Sequence, residues 1–323
     1  MHRPMSTIEA TATPRVAVIV ATRGRPEALR RAIGSILANT YPHFRLFIID
    51  QTPGDEPPFA PGELPQEKVV YLRTPWSGKS RALNYALTLC DEPIIAFTDD
   101  DCTVPPDWLA CGVAALAAEP AAALLFGTFA AAPHDPEDEF VPAFAPLSRR
   151  VVTGGRALWD GMLGVGANLF ARRGALDRIG GFDEELGPGG RYRTGEDVEL
   201  TFRALRRGFA VVQDPAIAVM HHGGRPFAGG AARQSITDAY FALGAGYGKH
   251  IRAGDPMAAV LLLRWVQLAV FAVASNVWWG RFRRTGVRSG LALVRGAASA
   301  FWHGRMLYRP SLAAPDCDCP APR

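Results

Sequence analysis

Four short apolar runs, "RVAVIVAT" at 15–22, "FRLFIID" at 44–50, "KVVYLRT" at 68–74 and "PIIAFT" at 93–98, alternate in the first hundred residues with stretches of another period. The runs are β-branched and nearly continuous, as strands buried on both faces of a parallel sheet are. After the first run, Pro26 suits the opening turn of a helix, and Leu29, Ile33, Ile36 and Leu37 recur at helical spacing. A second helical pattern, "GKSRALNYALTLC", puts Leu83, Ala86, Leu87 and Cys90 on one side. Strands alternating with helices predict an α/β fold with a mostly parallel sheet, in which ligands bind at the carboxyl ends of the strands. Two acidic features fall at such ends: Asp50, and the triplet Asp99-Asp100-Asp101.

Later strands are expected at "AAALLFGTF", "GANLFARR" and "FAVVQDP". "GEDVELTFRALRRG" reads as a helix turning Val198, Phe202 and Leu205 inward. With 323 residues and 48% hydrophobic content the chain can bury a substantial core, and its 33 glycines and 26 prolines follow no period. Five cysteines, with Cys317 and Cys319 in a Pro-rich tail, imply no disulfide framework. The opening "MHRPMSTIEATATP" lacks an apolar signal region, so the expected compartment is the reducing cytoplasm. Residues 1–14 and 310–323 are expected to be disordered tails.

In an extended chain Asp99 and Asp101 would project to one side and Asp100 to the other. Two carboxylates about 5 Å apart repel by roughly 3 kcal/mol at an effective dielectric of about 20. A divalent cation, Mg²⁺ or Mn²⁺, offsets that and completes its shell with phosphate oxygens. Asp99-x-Asp101-x-Thr103 after an apolar strand resembles the nucleophile motif of haloacid-dehalogenase-type phosphatases. That family also calls for a lysine further along, and none occurs between Lys79 and Lys249. The triplet also resembles the Asp-x-Asp motif of nucleotide-sugar glycosyltransferases of family 2, with the GT-A fold. Here the resemblance covers roughly residues 15–225, through "VAVIVATRGRPEAL", "FIIDQTPGD", "SGKSRALNYAL", "FTDDDCTVPPDWL", "GANLFARRGALDRIGGFDEELG", "GEDVELTFRALRRG" and "DPAIAVMHH" in the family's order.

The resemblance implies a role for each matching position. Thr22 and Arg23 would lie near the base or ribose, and Asp50 would accept a hydrogen bond from the base. Gly78 would let backbone approach the nucleotide, with Lys79 and Arg81 available to the diphosphate and Asn84 on the nucleotide side. Asp99 and Asp101 would bracket metal and ribose with Asp100 beside them, Asp101 being the first choice as direct ligand. His221 or His222 would add an imidazole to the metal. Ala167 and Asn168, with Trp159 upstream, would line the donor sugar and acceptor. Glu196 and Asp197 match the acidic pair at a helix start, Asp197 being the base of an inverting single displacement. The implied donor is a nucleotide sugar, by family frequency a UDP-sugar, and the acceptor a carbohydrate or lipid-linked hydroxyl. A catalytically silent nucleotide-binding scaffold is the remaining alternative.

Residues 15–248 are expected to form this domain and 249–309 a basic apolar helical segment, with ten Lys/Arg against the single Asp255. The stretch 257–279 is long enough to cross a bilayer, which takes about 20 residues. Arg264 and Gln267 interrupt it on a face shared with Ser275, and "RFRR" at 281–284 would put the preceding domain on the wrong side for a cytosolic donor. Helices on an anionic membrane surface, or packed on the catalytic body, are expected instead. No recognition motif for nucleic acid is present.

Overall fold

The computed structural model describes residues 13–54, 58–60, 62–154, 158–159, 161–278 and 284–305. Most of the two expected tails, Cys317, Cys319, Arg281 and Arg283 lie outside these residues. The expected βα alternation is present: β1 (Val16–Thr22), α1 (Pro26–Leu37), β2 (Phe44–Asp50), β3 (Val69–Arg73), α2 (Lys79–Leu89) and β4 (Ile94–Phe97). These four strands are parallel, in the order β3-β2-β1-β4, and every residue of β4 is buried. The helices fit their patterns, with Leu29, Ile33 and Ile36 of α1 and Leu83, Ala86 and Leu87 of α2 in the core.

Beyond β4 the sheet becomes mixed. The chain adds β5 (Cys102–Thr103), α3 (Trp108–Ala117), β6 (Ala122–Ala131), β7 (Glu139–Phe140) and β8 (Arg150–Thr153). A 3₁₀ turn at Gly166–Asn168 leads into β9 (Leu169–Arg172), followed by α4 (Arg173–Ile179) and α5 (Glu196–Arg206). Strand β9 runs antiparallel between β4 and β6, and β10 (Ala210–His221) lies parallel to β6 on its far side. Helix α5 buries Phe202 and Leu205 as expected, whereas Val198 is half-buried and lines the cavity described below. A short strand, β11 (Arg225–Pro226), pairs with β7.

The C-terminal helices are α6 (Ala231–Arg252), α7 (Pro256–Trp278) and α8 (Arg284–His303). The boundary expected at 248 falls inside α6, at two buried polar residues. Lys249 pairs with Asp183 at 2.5 Å and Glu185 at 2.7 Å, and His250 meets Glu199 of α5 at 2.9 Å. Lys249 is therefore spent on the protein interior. Helices α6 and α8 touch backbone to backbone, since a Cβ on Gly244 would fall 1.9 Å from the Leu293 carbonyl and one on Gly296 would fall 1.9 Å from that of Phe241. No helix among the described residues is long and apolar enough to cross a membrane.

Candidate active site

Strand register assembles the site. Ile19 pairs with Phe97, so three residues further along each strand Thr22 meets the aspartate triplet, and its hydroxyl donates to Asp100 Oδ2 at 2.6 Å. On the other flank His221 pairs with Cys102, beside Asp101. A cavity of about 680 Å³ opens over these strand ends, lined by Thr22, Arg23, Asp99, Asp101 and His221 on one side and by Glu196 and Asp197 on the other. Gly78 and Lys79 contribute from the start of α2, and Gly166 from the 3₁₀ turn. Helices α6 and α7 close a further wall with Tyr240, Leu243 and Trp265.

The aspartates are not arranged as an extended chain would arrange them. Strand β4 ends at Phe97 and the backbone turns at Asp100 and Asp101, so the period-two alternation does not reach the triplet. Asp100 points inward, its side chain wholly buried, and Arg25 grips both of its oxygens, at 2.5 Å and 3.1 Å. The other arm of Arg25 reaches Asp101 Oδ2 at 2.6 Å. Asp99 Oδ1 takes Lys79 Nζ at 2.5 Å, and Lys79 lies 3.5 Å from Glu196. Burial alone would discharge Lys79, but Asp99 and Glu196 outweigh it and raise its pKa. The expected mutual repulsion is thus partly met by two cations of the chain. Arg25, just before α1, is one residue that sequence reasoning missed; it is one of several arginines at 23–31 and only the fold singles it out.

The fit of this corner to a metal ion can be read from His221. Its Nδ1 lies 3.2 Å from the carbonyl of Pro142, which in the neutral ring puts the proton on Nδ1 and the Nε2 lone pair toward Asp101 Oδ1 at 3.6 Å. Two acceptors facing each other call for a proton or a cation between them. The space is preserved by Gly223, where a Cβ would come within 2.6 Å of both Asp101 Oδ2 and His221 Nε2. The donor set, one carboxylate and one imidazole, suits Mn²⁺ or Mg²⁺ completed by phosphate oxygens. No group of three or more metal-ligating side chains is present among the described residues, and Asp99, expected as a ligand, is engaged by Lys79. His222 turns away to Thr103, 3.0 Å from its hydroxyl, so of the two histidines it is His221 that meets Asp101.

Asp197 sits in the first turn of α5. Its Oδ2 accepts the Gly166 N–H at 2.8 Å and its Oδ1 the Val198 N–H at 2.8 Å. Burial raises its pKa, an effect opposed by these backbone donors and Lys79. Burial also pushes Glu196 up to about 7, with Lys79 working against it and Asp197 adding to it. The glycine loop before α5 closes over α2: Lys79 N–H donates to the Pro188 carbonyl at 2.8 Å and Ser80 Oγ to that of Leu186 at 2.8 Å. Only glycines permit this approach, because a Cβ on Gly189 would fall 3.0 Å from the Gly78 backbone.

Several expected site residues are placed elsewhere. Asp50 is buried with both oxygens engaged, by Thr52 and by the Tyr71 hydroxyl, so it holds a strand end together, and its neighbour Gln51 lines the cavity instead. Asn168 is 0% exposed. Its amide donates to the carbonyls of Thr128 and Ile217 and accepts from Trp108 Nε1, leaving nothing for a sugar. Ala167 is also core, and Val165 and Gly166 take the lining role expected of this pair. Asn84 braces the loop at Phe182–Glu184, Arg81 lies over Trp76, and Trp159 lies under Arg264; none of these lines the cavity.

A mixed sheet with two carboxylate groups facing each other across its strand ends is the architecture of a GT-A glycosyltransferase. The model of the family described as "Glycosyl transferase family 2" matches residues 17–180, half of the chain, and the protein belongs to that family and is a glycosyltransferase. This sets aside the phosphatase and the silent scaffold. Among solved structures the chain is similar to the mannosyltransferase PcManGT from Pyrobaculum calidifontis in complex with GDP-Man and Mn2+, at 19% identity, covering 91% of this chain and 89% of that one, with a TM-score of 0.57. It is also similar to S. aureus TarS 1-349, at 16% identity over 84% of this chain and 73% of that one with a TM-score of 0.53. For the same protein in complex with UDP-GlcNAc the values are 17%, 84%, 74% and 0.51. At these identities the likeness is one of fold. No curated protein matches the chain.

Proposed function

We propose that the protein transfers a sugar from a nucleoside-diphosphate donor to an acceptor hydroxyl with inversion at the anomeric carbon, with Asp197 as general base. The observation that carries this reading is the position of Asp197: its carboxylate lines the same cavity as Asp101 and His221, oriented by two backbone N–H groups. The acceptor oxygen gives its proton to Asp197 as it bonds to the anomeric carbon, while the bond from that carbon to the diphosphate oxygen breaks and the nucleoside diphosphate departs. Asp197 must be ionised to act, and the N-terminus of α5 favours that state. Lys79, kept charged by its acidic neighbours, offers a counter-charge to the diphosphate. Asp101 and His221 would hold a Mn²⁺ or Mg²⁺ ion, which when bound supplies positive charge to the leaving group. Support comes from the solved relatives, one holding GDP-Man and Mn2+ and another UDP-GlcNAc.

The test is a screen of nucleotide sugars, UDP-sugars first, with Mn²⁺ and with carbohydrate and lipid-linked acceptors, following release of free nucleoside diphosphate. One donor should release its diphosphate in an acceptor-dependent, Mn²⁺-dependent manner. Release by the parent and the Asp197→Asn variant alike would refute the assignment of the base.

A further inference from the structure

Helix α8 is apolar on the wrong side. Helices on a globular body turn bulky apolar residues inward and polar ones outward. Here the inward face is mostly small, with Ala292, Gly296, Ala297 and Ala300 against α6 and Leu293 its one bulky buried residue, while the outward face carries Val287, Leu291, Val294, Phe301 and Trp302, the last 73% exposed. The neighbouring helix α7, which also buries Leu261, likewise carries Val260, Leu263, Val270 and Phe271 outward. Within the outward stripe of α8 stand Arg288 and Arg295, one heptad apart and exposed. They converge with Arg233 of α6 on a groove of about 310 Å³ between the two helices. No carboxylate lines this groove, and no acidic residue occurs anywhere from 256 to 303. Among the described residues none of the three arginines is part of an ion pair.

From this geometry we infer that the α6–α8 groove is a binding site for the phosphate of an anionic phospholipid headgroup, and that the outward stripe of α8 enters the adjoining acyl region of a membrane surface. Charge complementarity selects this occupant. Three guanidiniums with no counter-ion among the described residues recognise phosphate, and an apolar stripe directly beside them matches the step from headgroup to acyl chain. A second protein copy would bring the same arginines against each other. The site also lies next to the catalytic cavity: Gln234 and Thr237 of α6 face the groove, while Ser235 and Ala239 face the cavity. One helix therefore separates the lipid surface from the transferase site.

The experiment is sedimentation of the full chain with vesicles of neutral phosphatidylcholine and with vesicles containing phosphatidylglycerol. Parallel arms use the double variant Arg288→Gln/Arg295→Gln and the stripe variant Leu291→Ser/Val294→Ser. All four positions are exposed, and retained thermal melting shows that the fold survives. Binding is expected only to the anionic vesicles, weakened roughly 30-fold in the arginine variant, at about fivefold per arginine, and also reduced in the stripe variant. Equal binding to both vesicles, or unchanged binding in the arginine variant, overturns the proposal. So does displacement from vesicles by millimolar inorganic phosphate with no effect of the stripe variant, which would assign the groove to a free anion. A concentration-dependent dimer by light scattering, abolished by the stripe substitutions, would assign the face to a second copy and overturn it too.

Discussion

Replacing Asp197 by Asn separates chemistry from structure, and the hydrogen bonds around the carboxylate give the size of each effect. Both oxygens accept backbone N–H groups, from Gly166 and from Val198, each at 2.8 Å. Asparagine keeps a single acceptor, so its NH₂ must face one of these donors and one buried N–H loses its partner. Such a loss costs about 1–3 kcal/mol, and it is partly offset because a neutral amide avoids the burial penalty that raises the Asp197 pKa. A net destabilisation of about 1 kcal/mol leaves a protein of ordinary stability almost entirely folded. Removal of a general base, by contrast, slows turnover by about 10²–10⁴-fold, or roughly 3 to 5 kcal/mol of transition-state stabilisation. The rate effect therefore exceeds anything that unfolding can supply. Steady-state release of nucleoside diphosphate in the presence of acceptor measures the first quantity and urea unfolding the second, while calorimetry checks that nucleotide affinity is retained. A folded variant within tenfold of the parent rate, or one that loses nucleotide binding in proportion to rate, would show that Asp197 is not the base.

Gly223→Ala should weaken Mn²⁺-dependent nucleotide binding by roughly tenfold or more, because its Cβ would meet Asp101 and His221 at 2.6 Å and overpacking of this kind costs about 1–3 kcal/mol; calorimetry with and without Mn²⁺ reports it, and unchanged affinity contradicts it. Asn168→Ala should cost at least about 3 kcal/mol in urea unfolding while leaving the donor KM of the folded enzyme unaltered, since it strands the Trp108 N–H and two carbonyls in the core. Glu199 is opposed by burial but held down to about 2 by Arg203 and His250 from its ordinary 4.5. Its folded carboxyl thus titrates below its unfolded one. The resulting stabilisation, about 3 kcal/mol, is complete above pH 4.5 and is lost as the pH falls toward 2. Unfolding free energies across that window should show the decline in the parent and a flatter profile in Glu199→Gln.

The elements legible in the sequence are those whose pattern has a local cause. Strands β1 to β4 announce themselves because both faces are buried, and α1 and α2 because one face is; the family's motifs then placed Lys79, Asp101, Asp197 and His221 around one cavity. The failures have a common origin in distance along the chain. Asn168 is a polar residue in a glycine-rich segment, indistinguishable from a ligand contact until Thr128, Ile217 and Trp108 close on it from three other elements. Asp50 likewise ends a strand as a binding carboxylate would, and only the pairing of β2 with β3 brings Tyr71 to its second oxygen. Helix α6 escaped notice because its glycines and alanines serve backbone contact with α8, a pattern without a bulky apolar stripe.

The charge argument from sequence changes form when the structure is added. Adjacent aspartates were expected to need an external cation, whereas Arg25 clamps Asp100 to Asp101 and Lys79 neutralises Asp99. The cavity region holds five carboxyl groups, Asp99, Asp100, Asp101, Glu196 and Asp197; Arg25 and Lys79 pair with them, His221 lies 3.6 Å from Asp101, and Arg23 and Arg225 also line the cavity. Burial pushes Asp100 up to about 6 even with Arg25 in contact, and Glu196 up to about 7 with Lys79 nearby, Asp197 adding its own repulsion. Burial is the larger cause in both, and the repulsion of neighbouring carboxylates adds to it. At the mouth shared by Asp101 and His221 the imidazole offers a lone pair and Gly223 keeps the space open. A cation held there, as proposed above, would lower the energy of the carboxylates around the cavity together, which a hydrogen-bonding residue placed at the same point could not do.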